Sequence, residues 1–427
     1  MLTLKTELAL PSVGATGFET PMSQEEQAIQ GSVHRFARDV LRPLGRELDR
    51  MTAEQVAAPG SPFYGVFAEA AKLGLDPAML AALPPEMGIR IESTVGEEMG
   101  WGDAGLAVSL GVAGFPLDMA LAAGNRELAE LCTGKIGCWM ITQPDKGSDV
   151  QVFDMARDWP AGAPGNKGNV WGKVGTGEIV INGQCSAWVS NGAVAQVAVA
   201  YIGADYGDGF HDKDGRPNGV AVIIPLDLPG VSRGKPLDKA GQRALPQGEI
   251  FFDNVKVPKR FAIALKDEYY GNMASVWSYA GTVMSQVFTG VARAAFEMAL
   301  SYCHERKQGG HLLIDHQLTR YRLGDMYRRV ELCRSVARRV LAFARLSPMG
   351  HPYVTASGKV TVTEEAMHVA SEAFRLFGGA GTSREYPIEK IVRDCRSALI
   401  EDGENNVLTM RLGLLAQQLY AEGWAQN

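Results

Sequence analysis

Residues 399 to 405, Leu-Ile-Glu-Asp-Gly-Glu-Asn, place Glu401, Asp402 and Glu404 around a glycine near the end of the chain. A carboxylate in such a setting can take a proton from a carbon acid when burial or a neighbour tunes it. Asp402, directly before Gly403, is the first candidate, with Glu401 and Glu404 beside it; the bland alternative is that Asp402 only caps or hydrogen-bonds a turn. Four other stretches carry ligand chemistry. Arg306, followed by Asp315-His316-Gln317, offers a planar fork suited to a pyrophosphate, although alone it reads as a solvated helix-end charge and His316 as structural. Phe377-Gly378-Gly379-Ala380-Gly381 lets backbone approach a dinucleotide closely, yet a lone Gly-Gly-x-Gly is usually a turn. The stretches Thr142 to Asp149 and Ala187 to Gly192 add the hydroxyls of Thr142, Ser148 and Ser190 and the indole of Trp188. Read singly, the first is an ordinary turn and the second a core tryptophan beside a strand.

These residues need elements to hold them. Residues 1–22 read as a flexible leader, and Ser23 with Glu26 fits a capping box that opens the first helix. Apolar residues then recur at helical spacing (Ile29, Val33, Phe36, Val40; Val66, Phe67, Ala70, Leu73), which predicts a helical domain over 23–137. Over 138–262 short β-branched runs predict strands at 178–181, 197–201, 220–224 and 249–252. From 263 to 427 long helical periods return, at 288–305, 318–346 and 361–376.

The composition bounds the class. The chain has 427 residues, 46% hydrophobic and 21% charged, with a formal charge of −6; that is a globular protein with no basic footprint for nucleic acid. Six scattered cysteines without a CxxC pair argue against a zinc ribbon or a disulfide framework and for a reducing, cytoplasmic setting. No secretory signal pattern and no long uncharged apolar run is read, so no membrane partner is expected. The acidic connector Asp205 to Gly219 reads as a surface loop rather than a metal site.

Taken together and in order, four stretches resemble the acyl-CoA dehydrogenase flavoprotein family, covering most of the chain from Met140 onward. Thr142-Gln143-Pro144-Asp145-Lys146-Gly147-Ser148-Asp149 is similar to Thr-Glu-Pro-x-x-Gly-Ser-Asp. Trp188-Val189-Ser190-Asn191 resembles Trp-Ile-Thr-Asn. Arg306-Lys307-Gln308-Gly309-Gly310 with His316-Gln317 is similar to Arg-x-x-Phe-Gly…His-Gln, with Gly309 where Phe is usual. Phe377 to Gly381 is followed by Glu385-Tyr386-Pro387, Arg393-Asp394 and Asp402-Gly403, with Asp402 for the usual Glu and Glu404 for a Thr that touches FAD. The interval from Thr142 to Trp188 is longer than in the family, which places an insertion between Asp158 and Gly172.

The resemblance implies an α+β fold: an N-terminal α-helical domain, a middle β-barrel or sandwich domain and a C-terminal four-helix bundle. It implies FAD as cofactor, an acyl-CoA substrate, an electron-transfer flavoprotein as acceptor and a homotetramer. By the same carry-over, Thr142, Trp188 and Ser190 meet the flavin, and Ser148 faces the thioester ligand. Arg306 and Gln317 hold FAD partly across a subunit boundary, and Phe377, Gly378, Gly379 and Glu404 line the dinucleotide. The chemistry implied is α,β-dehydrogenation, in which a carboxylate removes a proton while hydride leaves for flavin N5. Some branches carry the base ten residues before the position of Gly290; here that is Ala280, which leaves Asp402. Asp is one methylene shorter than Glu, a displacement of roughly 1.5 Å. It also occurs in dehydrogenases of cyclic acyl-CoA esters and in nitroalkane oxidases. The oxidases place an Arg seven residues further on, where this chain has Thr409, with Arg411 out of register. A catalytically idle flavoprotein is the third reading.

Overall fold

The computed structural model describes residues 21–75, 83–148, 167–213, 215, 217–346 and 352–421. Residues 1–20 of the expected leader and 149–166, which hold most of the expected insertion, lie outside the described residues. Helix α1 (Gln24–Phe36) begins at the capping box: Ser23 Oγ accepts from the Glu26 amide at 3.2 Å, and the Glu26 carboxylate accepts from the Ser23 amide at 2.6 Å. The run continues through a π-helical turn at Ala37–Leu41 into α2 (Arg42–Leu48). Then come α3 (Ala53–Ala57), α4 (Gly65–Ala71), α5 (Pro85–Gly102), α6 (Ala104–Ala122) and α7 (Arg126–Cys132). Helix α6 is long and apolar enough to cross a membrane by composition, but 61% of its most apolar 18-residue stretch is buried inside the fold, where it packs on the first strand.

Strands β1 (Gly137–Met140), β2 (Val170–Val174), β3 (Glu178–Gln184), β4 (Val197–Asp205), β5 (Gly219–Pro225), β6 (Val231–Arg233), β7 (Ile250–Pro258) and β8 (Ala262–Leu265) follow. The expected barrel or sandwich is one continuous sheet of order β6-β7-β3-β2-β4-β5-β8, with β1 paired to β4. Every residue of β5 and most of β4 are buried, because both faces of the sheet centre are covered. Strands β1 and β2 share one edge of β4, end to end: Gly137 to Met140 pair with Val197 to Ala200, and Trp171 to Lys173 with Gly203 to Asp205. Thr142 to Ser148 follows directly on β1, at the end of its pairing with β4.

The C-terminal part comprises α8 (Glu268–Glu305), a short hairpin β9 (Lys307–Gln308) and β10 (His311–Leu312), α9 (Gln317–Leu346), α10 (Pro352–Phe377), α11 (Ile388–Ala398) and α12 (Asn405–Ala421). Helices α8, α9 and α10 pack side by side, α11 and α12 lie on α10, and α5 lies against α8 and α9. The approach of α5 to α8 is close enough to require glycine on both. A Cβ at Gly290 would stand 1.9 Å from the Glu97 carbonyl, and one at Gly100 1.9 Å from that of Val287. Glu97 then links three helices, bonding Arg293 of α8 at 2.7 Å and Arg334 of α9 at 2.6 Å. The two guanidiniums outweigh the cost of burial and hold its carboxyl well below the usual range.

Candidate active site

Asp402 occupies the turn between α11 and α12 with φ +51°, followed by Gly403 at φ +100°. Left-handed backbone strains most side chains but is tolerated by Asp. The turn is fastened from behind by Lys359 of α10, which is fully buried. Its Nζ donates to the Gly403 carbonyl and to Asn405 Oδ1, each at 2.7 Å, and Asn405 Nδ2 donates in turn to Thr363 Oγ1. None of the described hydrogen bonds or ion pairs uses the Asp402 carboxylate itself. Burial raises its pKa and the nearby Lys359 ammonium opposes the rise. Burial likewise pulls Lys359 down to about 8, against the attraction of Asp402, Glu401 and Glu404. Behind the carboxylate lies a cavity of about 10 Å³, with Trp277, Gly281, Ala356, Leu408 and Arg411 on its wall. That is room for roughly one water. Arg411 is buried between the rings of Trp277 and Tyr353, 5.1 and 5.2 Å from their centroids.

The two neighbouring carboxylates are committed elsewhere. Glu401 accepts a short hydrogen bond from Gln242 Nε2. Burial and the adjacent Asp402 charge raise its pKa to about 7. Glu404 caps α12, its carboxylate accepting from the amides of Asn406 and Val407 at 2.9 and 3.1 Å. The side chain expected at the dinucleotide is thus spent on the helix end.

The loop from β1 meets this turn. Ser148 Oγ accepts the Glu404 amide at 2.9 Å, across 256 positions of sequence. Thr142 Oγ1 and Ser186 Oγ are 2.6 Å apart, and the Ser186 amide donates back to the Thr142 carbonyl. Gln143, where the resemblance expects Glu, is buried, and its Oε1 accepts from the Val170 amide of β2 at 2.9 Å. The adjoining loop is set by Asn191, fully buried at φ +61°, whose side chain accepts from Ser109 Oγ and donates to the carbonyls of Ser109 and Gly137. That anchor leaves Trp188 with 64% of its surface exposed between buried Ser186 and Val189, the arrangement of a platform for a flat ligand rather than a core residue. Ser190 Oγ faces Gln247 Nε2 at 3.3 Å.

The remaining expected contacts lie elsewhere. Arg306 and Gln317 are exposed at the far end of α8 and the start of α9. Gly378 and Gly379 are exposed at the end of α10, with nothing in the way of an approaching group. The Phe377 ring is buried, stacked 4.2 Å from Tyr302; what it offers a ligand is backbone. Trp277, beside Asp402, and Arg306 are 29 positions apart along one continuous helix, which is about 40 Å at 1.5 Å per residue. One chain therefore carries two separate groups of expected cofactor contacts. Among the described residues no cluster of three or more His, Cys, Asp or Glu could hold a metal, and Asp205 bonds the amides of Gly207 and Gly209.

Lys359, Trp277 and Gln242 escaped sequence reading, while Arg411, read there only as out of register, shares the Asp402 cavity. A signal existed for Lys359: it falls on the stripe Thr355, Ala356, Val362, Thr363, Ala366 of α10, all buried, where a lysine needs a partner.

Comparison with known proteins matches residues 138–255 to the profile for the acyl-CoA dehydrogenase middle domain and 282–415 to that for its C-terminal domain. The chain is 30% identical over 414 residues to the probable acyl-CoA dehydrogenase YngJ of Bacillus subtilis, covering 93% of this chain and 98% of that one. It is 27% identical over 398 residues to a cyclohexane-1-carbonyl-CoA dehydrogenase of Geobacter metallireducens, covering 87% and 94%. Among solved structures, a glutaryl-coenzyme A dehydrogenase in complex with glutaryl-CoA superposes with a TM-score of 0.79 at 24% identity, over 94% of this chain and 97% of that one.

Proposed function

The chain belongs to the acyl-CoA dehydrogenase family of FAD-dependent oxidoreductases, and from that premise we propose that it desaturates the α,β bond of a bulky or cyclic acyl-CoA thioester with Asp402 as base. The observation that carries this is the Asp402 carboxylate, used by none of the described hydrogen bonds or ion pairs and raised in pKa, on a turn joined to the Thr142–Ser148 loop by Ser148. FAD supplies the hydride acceptor when bound. The exposed face of Trp188 and the hydroxyls of Thr142 and Ser190 orient it; Asp402 removes the proton from the carbon beside the thioester. Burial makes Asp402 a stronger base than a solvated carboxylate, and the nearby Lys359 ammonium opposes that rise and favours the ionised form. The shorter side chain leaves room for a wider acyl group, in line with the relative named for a cyclohexane-carbonyl ester.

A second copy supplies Arg306, Gln317, Gly378 and Gly379 to the same FAD, because about 40 Å separates them from the Asp402 end within one chain. A homotetramer and an electron-transfer flavoprotein acceptor complete the reading. All six cysteines are buried and unpaired, which supports a reducing, cytoplasmic setting. One observation favours a second reading as a nitroalkane oxidase: Arg411, although out of register, shares the Asp402 cavity.

Anaerobic bleaching of the flavin by a panel of straight, branched and cyclic acyl-CoA esters beside nitroethane tests both. Bleaching by a cyclic or branched thioester supports the proposal. Bleaching by nitroethane alone transfers the chain to the oxidase reading, and silence from every compound leaves the idle flavoprotein.

A further inference from the structure

Away from Asp402, between the N-terminal helices and the bundle, lies a cavity of about 570 Å³, within the range that takes small ligands. Arg38, Arg42 and Arg46 stand on successive turns of the run Gln24–Leu48 and all line it. The run adopts its π-helical turn beside them, at Ala37–Leu41, a rare feature often found at functional sites.

Arg42 lies flat on Trp101, 3.4 Å from the ring centroid, and its Nε donates to the Trp101 carbonyl at 3.1 Å. Its Nη2 is sealed from solvent and has no hydrogen-bond partner among the described residues. Arg46, partly buried, enters none of the described hydrogen bonds or ion pairs. The carboxylates nearby are spent: Asp103 and Asp394 both bond Lys390 at 2.6 Å, Glu297 accepts from Trp101 Nε1, and Glu98 bonds Arg293. Lys390 thus answers both carboxylates that line the cavity, and Arg38 is paired with Asp39 at 2.7 Å, so among the described ion pairs Arg42 and Arg46 are the lining cations left unmatched. Burial lowers Arg42 to about 9, which leaves it charged at neutral pH. Unmatched buried donors are costly, and a guanidinium fork fits a carboxylate with two parallel hydrogen bonds. Opposite the arginines, Val291, Ala294, Met298 and Ile391 give an apolar wall.

We propose that this cavity binds a small organic carboxylate with an apolar body, its head on Arg42 and Arg46 and its tail on the α8 wall, at a site separate from the Asp402 turn. The test is calorimetric titration of the full-length, FAD-loaded protein with octanoate, repeated with inorganic phosphate and after saturation with an unreactive acyl-CoA thioether. The expected result is one octanoate per chain, unaffected by the thioether, and weakened at least tenfold in Arg46→Gln and in Arg42→Gln. Arg46→Gln removes none of the described bonds, so it decides the matter even where Arg42→Gln folds poorly. Absence of octanoate binding, an unchanged affinity in Arg46→Gln, displacement by the thioether, or phosphate binding as tightly as octanoate would each overturn the proposal.

Discussion

Replacing Asp402 by Asn separates catalysis from architecture. Asn keeps the shape and tolerates the φ of +51°, so the turn, its Lys359 anchor and the Ser148 bond should persist. Only the negative charge is lost. As a general base Asp402 is worth roughly 10² to 10⁴ in rate, and that is the expected fall in anaerobic flavin bleaching by the best thioester, with FAD content unchanged. Stability should move the other way. A carboxyl whose folded pKa is raised binds more protons folded than unfolded, so ionising it costs stability as pH rises through the interval between its unfolded value and the raised one. Asn removes that cost, and its melting temperature at neutral pH should equal or exceed that of the parent. Asp402→Glu keeps the charge but advances it by roughly 1.5 Å, against a cavity of about 10 Å³ and in left-handed backbone that Glu tolerates less well. A loss on the order of a hundredfold follows from such misplacement. Full bleaching rates in Asp402→Asn would refute the assignment, and a lower melting temperature would show that the side chain serves the turn instead.

The neighbours give sharper contrasts. Glu401→Gln should change bleaching less than about tenfold, since its amide oxygen can still accept from Gln242 Nε2 and even a lost hydrogen bond is worth roughly 1 kcal/mol. It should also remove a stability loss that runs from about pH 4.5 to 7, where the folded state holds the extra proton; urea midpoints across that range check both. Lys359→Met reverses the sign. The folded lysine, at about 8 against an ordinary 10.5, binds fewer protons than the unfolded one, so stability rises with pH between those values, and the variant should lose that slope. Trp188→Ala should shift stability by no more than roughly 0.5 kcal/mol because the ring is exposed. It should also weaken FAD retention up to about tenfold, the worth of an aromatic stack, as read by flavin release on dilution.

The long elements were legible because their periods are long. The stretches 288–305, 318–346 and 361–376 fall inside α8, α9 and α10, the capping box at Ser23 is present, and the four expected runs seed β3, β4, β5 and β7. Strands β1, β2, β6 and β8 were not legible as strands. Gly137-Cys138-Trp139-Met140 and Val231-Ser232-Arg233 are too short to show a period of two, and they exist because β4 and β7 supply partners. In the site, Asp402 and the hydroxyl loops could be read from local motifs. Lys359, Gln242 and Trp277 reach the Asp402 turn from distant segments, and only tertiary packing brings them there. Glu404 shows the limit of reading by position: its motif slot points to a cofactor, while its side chain answers the unsatisfied amides of α12.

The unbroken length of α8 has a genetic consequence under the proposed assembly. If Asp402 and Arg306 of one chain serve different flavins, lesions at the two ends are not equivalent to a double lesion in one site. Co-assembled chains, one carrying Asp402→Asn and the other Arg306→Met, would form one site with both defects and one with neither. Two inactive homomeric proteins would thus complement each other on mixing and reassembly, whereas two variants at the same end of the helix would not.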